Sequence, residues 1–89
     1  AQVSNNRLGY TSYMGVHPLS DSVVQWNYFA DTCLVLNDCG AIYVSSTGNR
    51  TEIRGNLVER VLGNKAGTPY SAGHGVGIYV DEGATGVSI

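Results

Sequence analysis

Three times along this 89-residue chain an aliphatic residue is followed three positions on by asparagine, and two positions later by another apolar residue. The copies are Val3-x-x-Asn6-x-Leu8, Val24-x-x-Asn27-x-Phe29 and Ile53-x-x-Asn56-x-Val58, and Val87-Ser88-Ile89 begins a fourth. A repeat of this kind limits the fold to a stack of equivalent units, each burying its apolar face against the next. The steps from Val3 to Val24, Ile53 and Ile89 are 21, 29 and 36 residues. A motif kept across unequal steps means fixed strands joined by turns of variable length. A β-solenoid accepts insertions in that way, on the surface where they leave the stacking undisturbed.

Short runs such as Val23-Val24, Ala41-Ile42-Tyr43-Val44 and Gly77-Ile78-Tyr79-Val80 have strand length and β-branched content, and Gly or Asn often lies nearby. A second repeat lies inside the later units. Ile42-Tyr43-Val44 and Ile78-Tyr79-Val80 precede Ile53 and Ile89 by the same 11 residues, with a turn between. The same offset points to Tyr13-Met14-Gly15 in the first unit, a poor copy. Side chains alternate along a strand, so Ile42, Val44, Ile78 and Val80 are expected inward, with Tyr43 and Tyr79 outward and one above the other. The face changes between Val3 and Leu8, so the chain must bend near Asn6, Asn27 and Asn56. Asparagine tolerates the left-handed conformation and forms ladders when stacked, which predicts a structural role for these three.

Composition removes several function classes. The net charge is −2 and no basic stripe is visible, so a nucleic-acid partner is not expected. No apolar run approaches the roughly 20 residues needed to span a bilayer, and no signal peptide is seen. No Cys/His spacing suggests zinc, and no metal or cofactor is expected. Cys33 and Cys39 flank a turn and permit a local bridge, but two small buried apolar residues are the expected reading. Asn49-Arg50-Thr51 matches a common glycosylation triplet of little weight.

The phrases Asn37-Asp38-Cys39-Gly40-Ala41-Ile42-Tyr43, Ile53-Arg54-Gly55-Asn56-Leu57-Val58 and Gly77-Ile78-Tyr79-Val80-Asp81-Glu82-Gly83 resemble the right-handed parallel β-helix repeat proteins of the pectate-lyase-like superfamily. The resemblance covers essentially the whole chain, more strongly from Leu36 onward, and the phrasing is closest to bacterial β-helix glycosidases. It implies an all-β fold: a single right-handed parallel β-helix of about three coils (roughly 1–21, 22–50 and 51–86, with a fourth starting at 87). It also implies a carbohydrate partner, an extracellular or periplasmic location and, because family members have more coils, a segment of a longer stack. A short stack leaves open strand edges, so self-association or pairing with further coils is expected.

Glycoside hydrolysis usually needs two carboxylates, one to protonate the leaving oxygen and one to attack or to activate water. Asp38 and His74 each lie four residues before an equivalent Ile, and Asp81 follows Tyr79 on the same outward parity. The candidate catalytic residues are therefore Asp38, Asp81, His74 and Glu82, the resemblance pointing to Asp38 and Asp81 as the acidic pair, with Glu59 or Glu82 as substitutes. Tyr43, Tyr79, Arg54 and Tyr70 are the candidate substrate-binding residues. Tyr70 lies in the long insertion Gly63 to Gly75, expected to shape a substrate site. Arg60 is placed to pair with Asp31, and Trp26 reads as either packing or a sugar platform. Glycoside hydrolase, polysaccharide lyase and non-catalytic glycan-binding or structural segment (tailspike- or adhesin-like) all remain open at this point, because one fold carries many activities.

Overall fold

The computed structural model describes residues 1–64, 66 and 75–89. Within them lie eight strands: β1 Gln2–Ser4, β2 Arg7–Gly9, β3 Val23–Gln25, β4 Tyr28–Thr32, β5 Cys39–Val44, β6 Glu52–Arg54, β7 Leu57–Val61 and β8 Gly75–Val80. A single 3-10 turn at Ser46–Gly48 follows β5. The strands sort into three parallel sheets, ordered β1-β3-β6, β2-β4-β7 and β5-β8. This all-β arrangement is consistent with a short parallel β-solenoid.

The motif sets the register. Val3 pairs with Val24 and Val24 with Ile53, while Leu8 pairs with Phe29 and Phe29 with Val58. These residues face one core, in which Val24, Phe29, Ala41, Ile42, Val44 and Ile53 are buried, with Val3, Leu8, Val16, Val58 and Ile78 packed against them. The middle repeat is the most enclosed because a neighbour lies on either side. Full burial of a side chain such as Phe29 contributes roughly 1.5–3 kcal/mol. Val80, expected inward, is 44% exposed, because β8 is an outer strand of its sheet.

The bends between the first two sheets are held by the asparagines. Asn6 Nδ2 donates to Asn27 Oδ1 at 3.1 Å, and Asn27 Nδ2 donates to Asn56 Oδ1 at 3.0 Å. The same oxygens accept the backbone N–H of Asn6 and of Asn27. Asn27 Nδ2 also donates to Val3 O, and Asn56 Nδ2 to Val24 O. The expected ladder is present, with one correction. The asparagines do not take the left-handed conformation; the residue before each does, at Asn5, Trp26 and Gly55 (φ 57°, 56° and 65°). Leaving the asparagine itself outside that region directs its carboxamide along the stack.

Two further left-handed rows mark other corners. One is Tyr10, Asp31 and Arg60; the other is Asp21, Arg50 and Gly86. Each row holds a bidentate ion pair between successive repeats: Arg60 with Asp31 at 2.8 Å, as the sequence predicts, and Arg50 with Asp21 at 2.7 Å. Each arginine holds its aspartate below the usual carboxylate range by hydrogen bonding.

Two other expectations are overturned. Cys33 and Cys39 form a disulfide with Cα atoms 6.0 Å apart, rather than lying as separate thiols. The turn between them brings two buried side chains within bonding reach. The first repeat also enters the third sheet three residues later than the fixed offset predicts: Val16, not Tyr13, bridges to Ile42. Val16 N donates to Ala41 O and Tyr43 N donates to Val16 O. The offset fails because the first repeat lacks residues equivalent to the Ser46–Gly48 turn.

Candidate functional site

With Val16 opposite Ile42 and Ile42 opposite Ile78, the next positions along are His17, Tyr43 and Tyr79. The aromatic row therefore has three members, one from each repeat. The ring centroids of His17 and Tyr43 are 4.9 Å apart and those of Tyr43 and Tyr79 5.3 Å, at interplanar angles of 88° and 71°. Edge-to-face contact of this kind suits ring quadrupoles. It also means that Tyr43 and Tyr79, stacked as expected, do not form one flat platform for a sugar.

Each tyrosine hydroxyl reaches into the other repeat. Tyr43 Oη donates to Asp81 Oδ2 at 2.6 Å, and Tyr79 Oη donates to Asp38 Oδ1 at 3.1 Å. Asp38 and Asp81 are thereby tied to one aromatic pair. Gly40 permits this approach: a Cβ there would meet the Tyr79 Cβ at 2.7 Å. Asp38 sits at a left-handed residue (φ 53°) in the turn closed by the disulfide, and Tyr13 Oη donates to its backbone oxygen. The second oxygen of Asp81 accepts the Glu82 N–H at 2.7 Å.

The electrostatics follow from these bonds. The Tyr43 hydroxyl is pushed far above the ordinary tyrosine range, first by donating to Asp81 and then by burial. Tyr79 is raised for the same reasons through Asp38. Asp81 is held below its ordinary value by Tyr43 and then by the Glu82 amide. Asp81 is thus a stabilised carboxylate, suited to act as a base, a nucleophile or an electrostatic partner rather than as a proton donor.

His17 Nε2 lies 3.1 Å from Ser45 Oγ. This resembles half of a nucleophile–base pair, but Asp81 bonds Tyr43, and among the described residues no carboxylate orients the imidazole. His17 and Ser45 escaped sequence reasoning because the fixed 11-residue offset misplaced the first repeat; the aromatic pattern His17, Tyr43, Tyr79 was the signal available.

Of the other candidates, Glu82 is exposed beside Asp81. Arg54 lies on a different sheet, bonded to Gln25 Oε1 at 2.9 Å and 3.6 Å from Glu52, so it is not brought to the tyrosine row. Glu59 is likewise elsewhere, accepting the Tyr28 hydroxyl at 2.7 Å. His74 and Tyr70, with most of the long insertion, lie outside the described residues. Trp26, read as platform or packing, projects from a bend and is 60% exposed.

A scan of family models finds no match to this chain, and comparison with curated proteins and with solved structures finds none either.

Proposed function

We propose that the chain is part of a right-handed parallel β-helix that acts on a polysaccharide or oligosaccharide as a glycoside hydrolase. The observation that carries this reading is the crossed pair of bonds Tyr43 to Asp81 and Tyr79 to Asp38, which ties two acidic side chains to one outward row. Right-handedness rests on the near-universal hand of crossovers between parallel strands. In this scheme Asp81, held ionised, attacks the anomeric carbon or takes a proton from water, and a second carboxyl group, that of Asp38 or Glu82, protonates the leaving glycosidic oxygen. His17 and the tyrosine edges border the sugar. The Cys33–Cys39 disulfide supports an oxidising location such as the periplasm or the extracellular space. The outer strands support association with further coils, of the same chain or another.

One observation favours a second reading, glycan binding without turnover. Both oxygens of Asp81 are already engaged, by Tyr43 and by the Glu82 amide. The test is release of reducing ends from soluble polysaccharides by the wild-type chain, Asp38→Asn and Asp81→Asn. Hydrolysis predicts losses of about 10²–10⁴-fold in each variant. Binding without product points to the second reading, and an unsaturated product absorbing in the ultraviolet points to a lyase. Activity untouched by both substitutions removes the pair from the chemistry.

A further inference from the structure

A second feature lies away from the tyrosine row, at the bend between the sheets β1-β3-β6 and β2-β4-β7. Trp26 occupies the middle place of the left-handed row whose other members are Asn5 and Gly55. Asparagine and glycine adopt that conformation readily, whereas a bulky residue there is an outlier that the surrounding structure must hold in place. The indole is not spent on the core, since Trp26 is 60% exposed. It rests on Gly55, where any Cβ would run into the six-membered part of the ring. The backbone is therefore held in an uncommon state, and the neighbouring repeat is kept bare, to present an aromatic ring to solvent.

The ring opens onto a depression of about 530 Å³ whose lining includes Asn5, Asn6, Arg7, Tyr28 and Leu57. Leu57 is 55% exposed and adds apolar surface, while the carboxamide of Asn5 and the Oδ1 of Asn6, whose Nδ2 is spent on Ser4 O and Asn27 Oδ1, supply neutral hydrogen-bonding groups. Arg7 lies over the Tyr28 ring at 4.9 Å from its centroid, so its charge already faces an aromatic partner. The depression is shallow and open, and its lining mixes aromatic and polar groups, which suits a hydroxyl-bearing ligand laid on a ring.

We propose that this depression binds a neutral pyranose unit of a glycan, with the sugar C–H face on Trp26 and its hydroxyls on Asn5 and Asn6. The electron-rich face of indole attracts polarised C–H groups, and amides match hydroxyls without selecting charge. The inference takes its ligand class from the carbohydrate reading above but needs no catalysis at the tyrosine row. It gives the molecule a holding site on a separate corner of the stack.

Trp26 is the only tryptophan of the chain, so indole emission reports this site alone. The experiment titrates the protein with xylohexaose, cellohexaose and trigalacturonate, following emission and acrylamide quenching, with calorimetry in parallel. A saturable emission change and protection from acrylamide are expected with a neutral hexaose, persisting in Asp81→Asn. Trp26→Ala should weaken the calorimetric affinity at least about tenfold, and Leu57→Ala, at an exposed position, should weaken it less. Calorimetric binding of a hexaose with unchanged emission would overturn the Trp26 site and leave the carbohydrate reading standing. An emission change without hydrolysis would support the site and remove the hydrolase. A response to trigalacturonate alone would overturn the preference for a neutral sugar, and no binding of any of the three would sink both.

Discussion

Tyr43 and Asp81 are 38 residues apart in sequence, yet they share a 2.6 Å hydrogen bond between successive repeats. The bond shifts both groups away from each other's titration range, the aspartate down and the phenol up. Asp81 has a folded value below its unfolded one, so its contribution to stability is present above the unfolded value and is lost as pH falls through the folded one. For Tyr43 the folded value is raised, so its contribution is complete below the unfolded value near 10 and is lost only as pH rises beyond that. NMR titration of the Asp81 carboxyl should therefore give a lowered midpoint that moves up towards an ordinary aspartate in Tyr43→Phe. An unmoved midpoint would mean that the bond is not formed in solution.

Asn27 carries the centre of the asparagine ladder, 2% exposed and bonded on both sides. Asn27→Ala removes the side-chain donor to Val3 O and the buried acceptor of the Asn6 amide, and should cost about 3 kcal/mol. Asn6→Ala, at the exposed end of the row, should cost about 1 kcal/mol. Urea unfolding of the two variants checks the order, and equal losses would contradict a ladder whose strength depends on burial.

The Cys33–Cys39 bridge closes a short loop, for which chain entropy predicts a stabilisation of about 2 kcal/mol. Its second effect is local, since Asp38 lies inside the loop. Thermal melts with and without reductant should show a lower midpoint when the bridge is open. The Tyr79 ring resonances should shift in the same samples, as the Asp38 carboxylate loses its fixed place.

Tyr10 is 83% exposed and left-handed at φ 56°, and its side chain has no hydrogen-bond partner among the described residues. Substituting glycine relieves a backbone cost of roughly 1–2 kcal/mol against an unfolded-state entropy loss of about 0.5–1 kcal/mol. Tyr10→Gly should therefore raise stability slightly, by about 0.5 kcal/mol on that difference. A clear drop in the denaturation midpoint would mean that the ring is engaged in solution.

The repeat motif made the parallel registers legible, because Val3, Val24 and Ile53 hold the same place in successive copies and the sheets pair them in that alignment. The Tyr43–Tyr79 neighbourhood and the Arg60–Asp31 pair came from the same counting. Counting failed where a turn changed length: one missing 3-10 turn hid His17 and Ser45, whose positions depend on geometry rather than spacing. The disulfide was undervalued because two cysteines six apart state only a distance along the chain, and closure depends on the path between them. The orientation of Trp26 was not readable, since nothing in its neighbours' identities says that a tryptophan will take a conformation suited to asparagine or glycine.

The asparagine ladder also has a direction. Each carboxamide oxygen accepts from the repeat before it, so at one end no donor among the described residues reaches Asn6 Oδ1, while at the other Asn56 ends the series of donors. The two ends are chemically unlike, as the two halves of a snap fastener are. Two such molecules meeting by like ends would set oxygen against oxygen or N–H against N–H. Any further repeat that extends the row must therefore join it head to tail, whichever chain supplies it.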